Sequence, residues 1–244
     1  MNLWQQLQGE AHIRPLSADP WRVVEAQHLS TTRFLVDSME EHDLLEAMIE
    51  SSKPAIEPSS DYLIYTPFRY PPLDYGSRFG SAFEPSLWYG SLALKTAFAE
   101  VSWYRRLFLA QTSAELGYVE TLLTAFQTRL ETESGIHLSE PPFHEHREVI
   151  SAPHTYATSQ TLGSAMREAG VEVFSYYSAR SEEPAINIAA FTSQVFRRKN
   201  GQFIRNQQTW QCIASKDTAE ITRISLDGKQ RYRFEGAVSF ELGC

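Results

Sequence analysis

The sequence predicts an α/β or α+β fold. Short runs rich in β-branched and aromatic residues alternate with amphipathic windows of helical period, the pattern of a sheet with helices packed on it. Hydrophobic residues make up 42% of the 244 positions and aromatics 12%, enough for a substantial core. The 12 glycines and 12 prolines fall short of low-complexity composition, which excludes disordered and fibrous classes.

The first punctuated segment opens at Asp19-Pro20. Asp19 reads as a helix cap with Pro20 at the first position, where the missing N–H is harmless, and a short helix is expected to about His28. Ser38 to Glu41 is a capping box, followed by Leu44, Leu45, Met48 and Ile49 on one face and stopped by Lys53-Pro54, which predicts a second helix. These two helices are expected to form an N-terminal helical extension, residues 1–60, ahead of a domain spanning 61–244. Tyr62 to Tyr65 is β-rich and runs into a turn-dense stretch with Pro67, Pro71, Pro72, Gly76 and Gly80. Trp88-Tyr89 reads as a short strand, and Ser91 as the cap of a helix that buries Leu94, Ala97, Phe98 and Val101. Glu100 falls at the edge of that stripe, where a side chain can point into a cleft from a rigid element.

Gly117 to Leu130 fits strand and helix alike. Glu131 to Pro153 is polar, carries Pro141-Pro142 and three of the seven histidines, and reads as an inserted loop. A helix is expected from about Ser159 to Ala169, with Leu162, Ala165 and Met166 inward and Gly170 just past its end. Val171 to Tyr177 reads as a strand, and Asn187–Val195, Thr209–Ala214, Ile221–Leu226 and Arg231–Phe240 supply further strands. No internal repeat is present.

A net charge of −8 and a sequence pI near 5.4 oppose broad attraction to nucleic-acid phosphates or anionic lipid, so neither nucleic acid nor membrane is an expected direct partner. The two cysteines, Cys212 and Cys244, build neither a disulfide framework nor a thiolate zinc site. With no apolar run near the roughly 18 residues of a membrane span and no secretory leader at Met1 to Gln6, the chain reads as cytoplasmic.

The dinucleotide GxGxxG, the Walker A loop and the GxSxG elbow are absent. His144-Glu145-His146 invites a metal reading, a hydrolase built on that loop; this spacing faces both rings the same way only on a strand, which the adjoining prolines oppose, so no metal is assigned. A second set puts polar and aromatic groups at element ends or in Gly/Pro-rich loops, where functional residues concentrate: Arg69-Tyr70, Arg78, Tyr89, Glu100 and Ser178. Two arginines can grip a diphosphate by bidentate bonds, tyrosines can stack on an aromatic base, and a carboxylate can stabilise a cationic sugar. Surface arginines and core tyrosines are the alternative reading of the same residues.

Taken in order, Arg69-Tyr70, Gly76-Ser77-Arg78-Phe79, Trp88-Tyr89, Ala99-Glu100 and Tyr177-Ser178-Ala179-Arg180, followed by Asn187, resemble the RES domain, with eleven-residue steps from 78 to 89 and from 89 to 100. The resemblance runs from about Tyr62 to Ala214. It implies an ADP-ribosyltransferase-like mixed β-sheet core with flanking helices. It also implies a type II toxin that consumes NAD⁺ as substrate, with no further cofactor, by hydrolysis, phosphorolysis or ADP-ribosyl transfer. The implied partner is an Xre-type helix-turn-helix antitoxin that inserts a C-terminal segment into the active site, giving a hetero-oligomer. Carried over motif by motif, Glu100, Arg69, Arg78 and Ser178 form the catalytic set, and Tyr70, Tyr89 and Asn187 bind substrate. A RES-fold binding module without chemistry, and the hydrolase on His144 and His146, are the competing expectations.

Overall fold

The structure, a computed structural model, describes residues 1–26, 35–52, 61–225, 228 and 230–240. The chain begins with α1 (Leu3–Gln6), a 3-10 turn, β1 (Arg14–Ala18), β2 (Trp21–Glu25), α2 (Met39–Ser51) and α3 (Tyr62–Arg69). It continues through β3 (Trp88–Ser91), α4 (Leu94–Gln111), β4 (Val119–Gln127), β5 (Arg129–His137), a 3-10 turn at Phe143–His146, α5 (Arg147–Ile150) and α6 (Ala157–Glu168). The C-terminal part is β6 (Val173–Tyr177), β7 (Ile186–Ala190), β8 (Phe196–Arg197), β9 (Arg205–Ala214), β10 (Thr218–Arg223) and β11 (Arg231–Glu235).

Among the described residues these strands make one mixed sheet in the order β1-β5-β6-β7-β3-β2-β4-β9-β10-β11, with β8 against β5. Only β5 and β6 run parallel. The join at the centre is slight: β2 and β3 meet at the single pair Trp21↔Ser91, after which β2 follows β4 while β3 follows β7. Directly paired residues point to the same face, so the chain of pairs Tyr176↔Asn187↔Ser91↔Trp21 lays four side chains in a row across four strands.

Helices α4 and α6 cover that face. α6 buries Leu162, Ala165 and Met166 against Phe79 and Phe174, while α4 buries Ala97 and Phe98 against Val23, Leu123 and Trp210. On the opposite face Trp88, Ile188 and Ala190 pack with Ile64 of α3 and with Phe196. No described helix is long and apolar enough to cross a membrane.

Local signals account for several elements. The Ser38 and Glu41 capping box starts α2, the buried stripe of Leu162, Ala165 and Met166 runs along α6, and Gly170 follows α6 at φ 77. Four expectations are overturned. Trp21 to Glu25 is a strand rather than a helix, because Trp-Arg-Val-Val suits the ladder to β4 and Asp19 holds Arg129, Lys199 and Arg205 instead of capping. Tyr62 to Tyr65 opens a helix, where Asp61 accepts from the Leu63 N–H at 3.1 Å and Ile64 turns inward. Ser91 ends β3, and α4 begins after Ala93 with no side-chain cap. Glu131 to Pro153 is no loop: β5 runs to His137, and a 3-10 turn and α5 follow. The ambiguous stretch before it is β4 and the start of β5. His28, Lys53-Pro54, Leu226 and Cys244 lie outside the described residues.

Gly163 of α6 rests on the backbone of Phe79, where a Cβ would stand 2.1 Å from the Phe79 carbonyl oxygen. Alanine favours helices over glycine by about 1 kcal/mol, yet here the backbone contact wins, and Gly163→Ala is expected to destabilise the protein by about 1–3 kcal/mol. A lowered urea midpoint checks this; an unchanged or raised midpoint would show that the helix–loop contact yields freely.

Candidate active site

The four-residue row forms part of the floor of a cavity of about 300 Å³, with α4 as one wall and the loop from Leu73 to Arg78 as another. From α4 come Ala97, Glu100, Val101 and Tyr104, spaced by three and four residues and so presented on one helix face. Glu100 stands at the edge of the apolar stripe and reaches over the floor.

Its carboxylate is gripped on one side only. Glu100 Oε1 accepts from Ser178 Oγ at 2.6 Å and from Asn187 Nδ2 at 2.7 Å, and both donors are almost fully buried. Each donor is itself oriented: Asn187 Oδ1 accepts from Ser91 Oγ at 2.6 Å, and Ser178 Oγ accepts from the Arg180 N–H at 3.1 Å. Charge-assisted bonds of this kind are strong and directional, so the carboxylate is held in one orientation. Among the described residues Oε2 accepts no hydrogen bond, which leaves that oxygen for a ligand.

Cations and phenols complete the surroundings. Arg78 is 6% exposed, donates Nη1 to the Ala152 carbonyl at 2.8 Å, and lies 4.8 Å from the centre of the Tyr156 ring. The Tyr156 and Tyr104 hydroxyls are 2.6 Å apart. Tyr89 shares its hydroxyl with Ser77 Oγ at 2.9 Å and accepts from the Phe79 N–H at 3.1 Å, tying β3 to the loop that carries Arg78. Burial pushes the Tyr89 phenol up to about 12, and burial together with the Glu100 charge raises Tyr176 well above the usual phenol value, so both remain protonated donors at neutral pH.

The model of the RES domain family matches residues 55–212, nearly two thirds of the chain. The chain belongs to the RES-domain family. No curated protein matches it.

Of the residues singled out in the sequence, the RES fold brings Arg78, Tyr89, Glu100 and Asn187 to the cavity wall, with Ser178 bonded to Glu100 from behind. Arg69 and Tyr70 do not line it: Arg69 ends α3 and pairs with Glu50 of α2 at 2.8 Å, and Tyr70 is 40% exposed. His144 and His146 sit on the 3-10 turn after β5, and among the described residues no group of three or more His, Cys, Asp or Glu is placed to hold a metal ion.

The structure adds residues that sequence reading missed. Ser91, Tyr104 and Tyr176 line the cavity, as does Arg22, at the place where β2 and β3 part. Arg22 donates Nη1 to the Tyr89 carbonyl at 2.6 Å and lies 5.2 Å from the Trp88 ring centre. Among the described residues it has no carboxylate partner, its Nε is buried without an acceptor, and burial lowers its pKa to about 10. It therefore carries its charge at a desolvation cost, with the guanidinium on the Trp88 side of the sheet, the face opposite the Trp21 side chain. A signal was available: Arg22 sits beside Val23 and Val24, and a strand reading sends its side chain to the face opposite Trp21.

Proposed function

We propose that this RES-domain protein breaks the nicotinamide–ribose bond of NAD⁺ and acts as the toxin of a toxin–antitoxin pair. The observation that carries this reading is the Glu100 carboxylate, fixed through one oxygen by Ser178 and Asn187, on the wall of a cavity that Arg78 also lines. Family membership supports it.

Cleavage sends the electron pair of the C–N bond to the pyridinium nitrogen, so nicotinamide leaves neutral and needs no general acid. The ribose carbon left behind gains positive charge, and Glu100 Oε2 is the group that stabilises it, either across the oxocarbenium face or through the ribose hydroxyls. Because Ser178 and Asn187 hold the carboxylate beforehand, little reorganisation is required in the transition state. Arg78 serves the diphosphate, and Tyr89 and Tyr176 supply ring faces for the nicotinamide. The acceptor is water, inorganic phosphate or a protein side chain. With water the products are nicotinamide, ADP-ribose and one proton.

A protein with this activity harms the cell that makes it. The reading therefore includes an Xre-type helix-turn-helix antitoxin that fills the cavity. Induced expression of the chain alone is expected to deplete cellular NAD⁺ before growth stops, and Glu100→Gln is expected to do neither. Growth arrest with NAD⁺ intact would assign the toxicity to different chemistry.

A further inference from the structure

A second hollow adjoins the Glu100 cavity along α4. The α4 face that bears Ala97, Glu100, Val101 and Tyr104 extends one turn further to Arg105 and Phe108. Opposite this turn, β2 and β4 offer Val23, Val119 and Leu123. The space between is a largely apolar groove of about 490 Å³, and it shares Val23, Val101 and Tyr104 with the cavity. Cavity and groove thus lie side by side along α4, divided where Val101 packs against Val23, over a span from Ala97 to Phe108 of about 16 Å at 1.5 Å per helical residue.

Two features of the groove call for an occupant. Phe108 is 66% exposed and Tyr104 42%, four residues apart on one helix face, so two rings stand at its mouth. At its rim Arg105 is braced between Glu25 at 2.6 Å and Thr121 at 3.0 Å, which fixes the edge of the opening. The cavity alone, at about 300 Å³, is at the small end of the range that buries a drug-sized ligand. A dinucleotide is larger than that, and its second half must leave the cavity somewhere. The groove adjoins the cavity at Tyr104, is apolar on its floor, and is edged by aromatic rings.

We propose that the groove between α4 and the β2–β4 pair is the subsite for the adenosine half of the dinucleotide. The base stacks on Phe108 and the diphosphate passes Tyr104, which leaves the nicotinamide ribose at Glu100. The assignment rests on the reading of the cavity as an NAD⁺ site.

Titration calorimetry with two probes tests it: ADP-ribose, which has the adenosine half, and nicotinamide mononucleotide, which lacks it. Phe108 is exposed, so Phe108→Ala keeps the fold. Removing a base-stacking ring is expected to weaken ADP-ribose binding about tenfold or more while leaving nicotinamide mononucleotide within about twofold. Equal ADP-ribose affinity in the two proteins overturns the subsite and leaves the groove to a protein segment. Equal losses for both probes overturn it too, since the damage would then lie in the cavity, as does failure of the wild type to bind ADP-ribose. A wild-type protein that binds ADP-ribose through Phe108 yet releases no nicotinamide from NAD⁺ would defeat the proposed activity and leave the subsite standing.

Discussion

Glu100→Gln is expected to cut the rate of nicotinamide release by about a hundredfold or more, the scale of losing a main electrostatic stabiliser, or about 2.7 kcal/mol of barrier. The substitution is close to isosteric. The glutamine oxygen can still accept from Ser178 and Asn187, which hold Oε1 at 2.6 and 2.7 Å, so the amide nitrogen takes the place of Oε2. A neutral, hydrogen-bearing group then faces the ribosyl cation. The charge is needed far more in the transition state than in the ground state, so NAD⁺ affinity should change less than about threefold. Single-turnover kinetics with calorimetry on the folded variant separate the two effects. A rate within about threefold of wild type, less than roughly 0.7 kcal/mol, would move the chemistry away from Glu100.

The second large effect is expected at Arg78, and it falls on binding. A lysine reproduces the charge but not the planar fork, which donates to the Ala152 carbonyl while its carbon stands 4.8 Å from the centre of the Tyr156 ring. Arg78→Lys is expected to lower ADP-ribose affinity at least tenfold, about 1.4 kcal/mol, while the affinity for free nicotinamide, which carries no phosphate, is held. Circular dichroism should report the native fold. If ADP-ribose binds the lysine variant as it binds wild type, Arg78 is a packing residue against Tyr156 and the diphosphate is held elsewhere.

The elements legible in the sequence are those whose cause is local. A capping box beside a helical stripe specifies α2, and a periodic stripe closed by Gly170 specifies α6. Glu100 was legible for the same reason, since a helical wheel places it at the edge of the buried face of α4. The losses occurred where local and distant preferences disagree. Asp19-Pro20 imitates a helix start, yet Asp19 is taken by three cations remote in sequence and the residues after it by the ladder to β4. Tyr62 to Tyr65 has strand composition, and the cap at Asp61 and the pocket for Ile64 make it a helix. The site divides in the same way. Arg78, Tyr89, Ser178 and Asn187 follow from ordered motifs, whereas Ser91, Tyr176 and Arg22 reach the cavity through strand register and through the parting of β2 from β3, neither of which is written in any short window.

The central claim is that this cavity breaks the nicotinamide–ribose bond. Purified chain, freed of any bound partner, is incubated with NAD⁺ in EDTA, with and without inorganic phosphate, and the products are weighed by mass spectrometry. Free nicotinamide in stoichiometric yield is expected, accompanied by ADP-ribose, its 1″-phosphate or a mass gain on protein. NAD⁺ recovered intact from a correctly folded protein that binds it would contradict the account.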